Sequence, residues 1–190
     1  MSNAIRFTHE TPEHLFLLNE FAAPFYKNDR LWQNAMQYIA WSMLNPKGLD
    51  KKQSANNRAL RDKITAAYDP WKCRYFLTKK GLAANNAVLR EDHADVEDKV
   101  LRMAVEAKFG QNPMLMVLLL KTEDAKLIFD NKHDDVLGAG ADGKGANKLG
   151  KALMAYRKKL KSEYDFDSNP LYAFDVCTAI CEPIVNGEQE

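Results

Sequence analysis

The chain has 190 residues, a formal net charge of +1, and 46% hydrophobic and 28% charged residues. This composition predicts one soluble globular domain that needs no disulfide or metal for stability, and it does not support a broad nucleic-acid surface. The longest apolar run, at 114–120, is too short to cross a bilayer, and the N-terminus does not resemble a signal peptide, so we expect a cytoplasmic protein with no membrane partner. We expect the three cysteines, Cys73, Cys177 and Cys181, to be reduced, and we predict no metal and no cofactor.

The first half of the chain predicts short elements separated by polar segments. A strand is expected at 5–7, and Thr11-Pro12 is expected to begin a helix over EHLFLLNEFA. Asn34 is expected to cap a helix that ends at Asn45-Pro46. Beyond it we predict a helix over NRALRDKITAAY and then an irregular connector with one strand at RYFLT.

The second half of the chain has clearer helical periodicity. A long helix is expected after Asp92 or Asp95, a second helix from Pro113, a strand at KLIF, and a last helix, NKLGKALMAYRKKL, capped by Asn147. The predicted fold is α+β, a single compact and mainly helical domain over 1–190 with a few short strands. The C-terminal tail, 161–190, has enough apolar residues to dock, and its last residues should fray.

A glycine-rich stretch, DDVLGAGADGKGANKLG at 134–150, contains the spacing G-x-G-x-x-G. A dinucleotide fingerprint needs a buried strand before it and a complete βαβ unit around it, and the polar residues before this stretch do not fit. Two interpretations stay open from the residues alone. The stretch is either an anion site at a helix N-terminus or a flexible turn with a solvated lysine face.

Residues with acid–base chemistry are scattered. The four histidines, His9, His14, His93 and His133, are far apart in sequence, and a lone histidine is more often structural than catalytic. Asp134 directly precedes the glycine-rich stretch, where a carboxylate could orient a ribose or a water, or cap a turn. Protease, Walker-loop and metal-loop motifs are absent from the sequence.

Several segments together resemble the NADAR family of YbiA-like domains. VEDKVLRMAVEAKFGQNPMLMVLLLKT, Asp134 and GAGADGKGANKLGKALMAYR are similar to the family's C-terminal half, and LLNEFAAPF resembles its N-terminal Leu-Ser-Asn-Phe-Tyr-x-x-Pro-Phe stretch. The middle segment, 45–88, and the tail have no recognisable counterpart. The resemblance implies a YbiA-like fold and N-glycosidic cleavage of ADP-ribose adducts or of phosphoribosyl intermediates of riboflavin synthesis.

The family resemblance also implies a helix that carries a glutamate in a Glu-His-Tyr-like motif and a lysine seven residues later. This chain keeps Tyr38 but has Met36 and Met43 at those two positions, and His93 and Leu137 replace two expected tryptophans. The remaining candidates for proton transfer are Asp134, Glu20 and His93. The candidates for ligand binding are Asn19, Phe25, Tyr38, Lys108, Gln111, Gly138, Gly140, Asn147 and Arg157.

Three hypotheses follow. The first is a catalytically degenerate domain that binds or sequesters an ADP-ribose-like or nucleotide ligand. The second is an N-glycoside hydrolase with a rearranged site, acting on small molecules or on ADP-ribosylated nucleic acid. The third is an interaction scaffold for a protein partner, with its pocket filled by apolar side chains.

Overall fold

The structure, a computed structural model, describes residues 3–163. The elements run in the order β1 (Ala4–Phe7), a 3₁₀ helix (Pro12–Leu17), β2 (Phe25–Lys27), β3 (Arg30–Trp32), α1 (Ala35–Met43), α2 (Lys51–Thr65), α3 (Pro70–Phe76), α4 (Lys79–Ala84), α5 (His93–Gly110), α6 (Pro113–Leu120), β4 (Lys126–Phe129) and α7 (Lys148–Glu163). The prediction of a mainly helical fold with a few short strands is confirmed. None of the helices in this part of the chain is long and apolar enough to span a membrane.

The chain packs as two units, and one of them is discontinuous in sequence. The first unit contains the described residues 3–7 and 109–163, and the second contains 8–108. The expectation of a single domain is therefore not decided here and stays a prediction.

The first unit is built on a parallel pair of strands. β1 pairs with β4 in the register Ala4↔Lys126 to Phe7↔Phe129, and the rings of Phe7 and Phe129 stack with centroids 5.5 Å apart. α7 packs against β4 at Gly150, where an added Cβ would lie 2.2 Å from the carbonyl oxygen of Leu127. A side chain at position 150 would therefore separate the helix from the strand.

The second unit contains an antiparallel hairpin and six helical segments, namely the 3₁₀ helix, α1 to α4, and α5 as far as Lys108. β2 and β3 are joined by Asn28 and Asp29, which both have positive φ, at 52° and 55°. Two successive left-handed residues give the type I′ turn that suits a tight hairpin. α1 packs against α2 and α3, and its N-terminus is capped as predicted, because Oδ1 of Asn34 accepts the amide of Gln37 at 2.9 Å.

Two local predictions in the second unit are wrong. The segment RYFLT is not a strand, because it lies largely within α3, which begins at Pro70 behind a cap from Asp69 to the amide of Trp71. The predicted helix over EHLFLLNEFA is only the 3₁₀ helix, and it stops at Leu18, whose backbone is extended. Thr11 does not cap it, since its hydroxyl binds the backbone of residue 8.

The sequence predictions also missed several boundaries in this unit. The helix expected over 57–68 begins earlier, at Lys51, because Oδ1 of Asp50 accepts the amide of Gln53. The hairpin and α4 were not predicted.

α5, α6 and β4 lie where the periodicity placed them. The tail beyond 163, with Cys177 and Cys181, lies outside the described residues.

Candidate functional site

Glu20 is a buried carboxylate surrounded by ionisable side chains of the second unit. Its side chain is 6% exposed, and Oε1 accepts a hydrogen bond from Nη1 of Arg74 at 2.5 Å. Nε2 of His9 lies 3.9 Å from Oε2, and the His9 ring packs on the indole of Trp71 with centroids 4.5 Å apart. The guanidinium offsets the desolvation of the carboxylate, so α3 holds Glu20 in place through Arg74.

Lys108 adds a second buried ionisable group to this unit. Its side chain is almost wholly buried, and Nζ donates to the carbonyl oxygens of Phe16 at 2.7 Å and Leu18 at 2.6 Å. Burial lowers the pKa of the Lys108 ammonium to about 7, and the negative charge of Glu20 acts in the opposite direction. Because its hydrogen bonds end on the segment that leads to Glu20, Lys108 fixes that segment as well as carrying charge.

The two methionines of α1 face the interior. Met36 is 3% exposed and Met43 is 5% exposed. Asn19 is also buried, and its carbonyl oxygen accepts the amide of Met36 at 2.9 Å, so the N-terminal motif is tied to the first turn of α1. The positions at which the family resemblance expects an acid and a lysine are therefore filled by buried thioethers.

Phe25 of β2 forms an aromatic contact with Tyr38, which lies between the two methionines in the sequence of α1. Their rings meet edge to face with centroids 6.0 Å apart, and Trp32 makes a similar contact with Tyr38 at 5.6 Å. Burial raises the pKa of the Tyr38 hydroxyl, while hydrogen bonds with Ser42 and Asn28 act to lower it. Both residues proposed as ligand-binding aromatics thus lie in the core of the unit.

Gln37 occupies the position between Met36 and Tyr38, where the resemblance expects a histidine. Nε2 of Gln37 donates to the carbonyl oxygens of Ile64, Thr65 and Ala67 at 3.0, 3.2 and 3.0 Å. These carbonyls are at the C-terminal end of α2, where a helix leaves acceptors without intrahelical donors. Gln37 therefore joins α1 to the C-terminal end of α2.

His93 and Gln111 lie at the two ends of the long helix. His93 is exposed at the first residue of α5, and its Nδ1 lies 3.0 Å from the carbonyl oxygen of Arg90. Gln111 is exposed in the turn that follows α5. Neither side chain is buried as Glu20 and Lys108 are.

The glycine-rich loop of the first unit is organised by Asp134. Oδ1 of Asp134 accepts the amides of Val136 at 3.1 Å and Leu137 at 2.7 Å, and its carbonyl oxygen accepts the amide of Gly140. Gly140 has φ +69°, a conformation that side chains rarely adopt. Asp134 therefore shapes the loop by the turn-capping role that the sequence left open.

The amides that lead into α7 donate within the loop itself. The amide of Asn147 donates to Gly138, that of Lys148 to Val136 and that of Leu149 to Leu137, at 2.9 to 3.1 Å. Backbone amides used in this way are not available to an anion at the helix N-terminus. A phosphate bound by this loop would need other donors.

The side chains of Asn147 and Arg157 bind the backbone around β4. Asn147 lies directly before α7, where its Oδ1 accepts the amide of Phe129 at 3.0 Å and its Nδ2 donates to Leu127 at 2.9 Å. Arg157 donates to the Thr122 hydroxyl at 2.5 Å and to the carbonyl oxygen of Ala125 at 2.8 Å, and burial lowers its pKa. Both residues have structural partners, which leaves their predicted ligand contacts untested.

The structure brings some of the proposed site residues together and adds others. Glu20 and Lys108 belong to one electrostatic cluster, and Asp134, Gly138, Gly140 and Asn147 share one loop. Sequence reasoning did not place Arg74 or His9 beside Glu20, which both residues contact. Arg74 lies in the segment RYFLT, for which the sequence predicts a strand, so no local pattern could have linked it to Glu20.

Comparison with known proteins identifies the family. The NADAR domain model matches residues 6–161. The chain belongs to the NADAR family. Its structure is similar to the NMR structure of the Escherichia coli protein YbiA, with a TM-score of 0.66 and 27% sequence identity over 86% of this chain and 88% of that one.

Curated NADAR relatives match parts of the chain. The N-glycosidase YbiA of Escherichia coli (strain K12) is 43% identical over 75 residues, which is 40% of this chain and 47% of that protein. The riboflavin biosynthesis protein VVA0006 of Vibrio vulnificus is 26% identical over 168 residues, which is 88% of this chain and 41% of that protein. The matches thus span less than half the length of these curated relatives.

Proposed function

We propose that this NADAR-family protein binds an ADP-ribose-like or ribosyl-phosphate ligand and lacks the helix-borne acid and lysine that the family resemblance associates with N-glycosidic cleavage. The observation that carries the proposal is the burial of Met36 and Met43 on α1. A thioether neither exchanges a proton near neutral pH nor forms a Schiff base. Binding or sequestration of the ligand is therefore favoured over its cleavage.

Calorimetric titration of ADP-ribose into the protein tests this proposal. Asp134→Asn is the informative variant, because it removes the carboxylate charge while keeping an oxygen that can accept the two loop amides. Asp142→Asn is the matched control, since Oδ1 of Asp142 accepts the amide of Lys144 in a similar turn of the same loop. We expect wild-type binding that Asp134→Asn weakens about tenfold and that Asp142→Asn leaves within about twofold.

The outcomes of this titration separate the hypotheses. No heat from a folded wild-type sample would reject ligand binding and favour an interaction scaffold in which the methionines fill the old pocket. Equal weakening by both substitutions would mean that the loop conformation, rather than the Asp134 charge, matters. Binding without turnover during long incubation with stoichiometric protein is the expected result.

An active N-glycoside hydrolase is the second candidate, and Glu20 is the observation that favours it. A buried carboxylate beside a guanidinium and a buried amine is the kind of perturbed cluster found at active sites. In such a reaction Glu20 would accept a proton from water while the water oxygen bonds to the sugar carbon and the C–N electron pair leaves with the base.

Single-turnover incubation with an ADP-ribosylated nucleobase and with a phosphoribosyl amine tests the hydrolase. Glu20→Gln should abolish product formation, whereas Glu13→Gln, which changes an exposed carboxylate seven residues away, should not. Survival of both substrates with wild-type protein would reject this candidate.

A further inference from the structure

Two arginines of the second unit converge on one indole ring. Cζ of Arg61, from α2, lies 3.2 Å from the ring centroid of Trp41, and Cζ of Arg30, from β3, lies 5.6 Å from the same centroid. Each contact is a cation–π interaction, which stabilises a single guanidinium. Two guanidiniums on one ring also repel each other.

The repulsion at this ring is only partly compensated. Burial, together with the positive charges of Arg30 and Arg90, lowers the pKa of the Arg61 guanidinium to about 10, and the charge of Asp62 acts in the opposite direction. Arg90 is already paired with Asp92 through two hydrogen bonds. In the described part of the chain, no carboxylate forms an ion pair with Arg61 or Arg30.

Arg61 also carries an unsatisfied donor. Its Nε is buried and has no hydrogen-bond partner among residues 3–163. Such a donor normally costs about 1–3 kcal/mol, so a native structure that keeps one calls for an explanation. The site is open to solvent, because Arg30 is exposed and both Trp41 and Arg61 are half-buried.

The stretch of sequence that contains Arg61 is strongly positive. Residues 51–80 contain nine lysines and arginines and two aspartates, a net charge of +7, which leaves the other 160 residues at −6. A concentrated positive field raises the local concentration of anionic ligands. The near-neutral total charge of the chain hides this segregation.

We infer that Trp41, Arg61 and Arg30 form a binding site for a phosphate monoester. Two planar guanidiniums that form no ion pair within residues 3–163 suit the charge and the oxygens of a phosphate dianion better than those of a carboxylate or a neutral ligand. The site would hold the phosphate of a ribosyl-phosphate ligand, so this inference rests on the proposed function and names a subsite for it.

Titration with inorganic phosphate and with ribose 5-phosphate, monitored by calorimetry and tryptophan fluorescence, tests the inference, with ribose as the uncharged control probe. We expect saturable binding of both phosphates and none of ribose. Arg61→Gln and Arg30→Gln should each weaken binding about tenfold or more, while Arg102→Gln, which removes an exposed arginine of α5, should change it less than about twofold.

Thermal unfolding without phosphate distinguishes a ligand site from a structural contact. If the arginine pair is kept for an anion, Arg61→Gln should leave the melting temperature unchanged or raise it, and it should remove the stabilisation that phosphate gives the wild type. The inference would be overturned if Arg61→Gln lowered the melting temperature strongly while Arg30→Gln, at the exposed position, still bound phosphate. So would the absence of phosphate binding to the wild type.

The two proposals can fail separately. Ribose 5-phosphate binding that is insensitive to Arg61→Gln and Arg30→Gln would overturn the phosphate site, and ADP-ribose binding by the same samples would leave the proposed function intact. Binding of phosphate and ribose 5-phosphate that depends on these arginines, without any ADP-ribose binding, would support the site and reject the ADP-ribose form of the proposed function.

Discussion

Single side chains in this protein hold backbone segments that local sequence could not have paired. Lys108 is the clearest case, because its buried Nζ joins α5 to two carbonyls of the 3₁₀ segment. Replacement by methionine keeps most of the side-chain volume and leaves both carbonyls without this donor. We expect Lys108→Met to lower the free energy of unfolding by about 3 kcal/mol in urea titration at pH 7. Lys99→Met, at an exposed lysine of the same helix, should change it by less than about 0.5 kcal/mol.

The lowered pKa of Lys108 gives this contribution a definite pH dependence. The ammonium has a pKa of about 7 in the folded chain and 10.5 as its ordinary value, so the unfolded chain binds more protons between these two values. Stability therefore rises with pH across this window, by at most about 1.4 kcal/mol per pH unit. The difference in unfolding free energy between wild type and Lys108→Met should increase from pH 7 to pH 10. A difference that is constant with pH would show that Lys108 does not titrate in this window.

Asn147 makes a comparable link in the first unit. Its Oδ1 accepts from one β4 residue and its Nδ2 donates to another, while its φ of 49° suits asparagine better than most residues. Asn147→Asp places a carboxylate oxygen against the carbonyl of Leu127, so we expect a loss of about 2 kcal/mol or more in unfolding free energy. Asn86→Asp is the control, because Asn86 is exposed and has a similar φ of 48°. Equal losses in the two variants would assign the effect to the left-handed conformation alone.

At the scale of elements, α1 contributes mainly packing and helix-to-helix contacts. Met36 and Met43 fill the interior, and Gln37 binds three carbonyls at the end of α2. Gln37→Met should therefore destabilise the second unit by about 2–3 kcal/mol and increase amide hydrogen exchange over the last turn of α2. Gln53→Met, at a half-buried glutamine of α2 itself, should have a much smaller effect. Unchanged exchange at 62–67 in Gln37→Met would contradict a capping role.

The elements that sequence predicted correctly are those with a local signal. Asn34 and Pro113 mark helix starts by their own chemistry, and α5 has enough apolar positions to reveal its period. The strand predicted for RYFLT is wrong because its β-forming residues follow Asp69-Pro70. That pair starts a helix, and the helix start outweighs strand propensity. The hairpin was not predicted because strands of three residues have almost no periodicity, although Asn28-Asp29 is a recognisable turn pair.

The candidate site was less predictable than the fold for a related reason. The family resemblance supplied Asp134 and the glycine-rich loop, which are contiguous in sequence. Arg74, which binds Glu20, and the two arginines around Trp41 come from separate elements, and only tertiary structure brings these contacts together. Contacts between distant residues depend on packing, which composition and spacing do not encode locally.

At the scale of the whole molecule, the segregated charge should control how ligand binding depends on salt. The Debye length is about 30 Å at 0.01 M salt and about 10 Å at 0.1 M, so the field of residues 51–80 reaches an exposed site only at low ionic strength. We expect the dissociation constant for ribose 5-phosphate to rise severalfold between 0.01 and 0.3 M KCl. We also expect Lys79→Gln/Lys80→Gln, which removes two exposed charges from this segment, to weaken binding about two- to threefold at low salt and hardly at all at high salt.

A second double variant identifies which part of the chain supplies this field. Lys144→Gln/Lys151→Gln removes the same amount of charge from exposed positions in and just after the glycine-rich loop. If the phosphate binds at Trp41 and its arginines, the loop variant should keep wild-type affinity at every salt concentration. If the loop itself holds the phosphate, the loop variant should lose affinity and the Lys79/Lys80 variant should not. Because the two variants have the same net charge, a difference between them reflects where the charge lies and not how much remains.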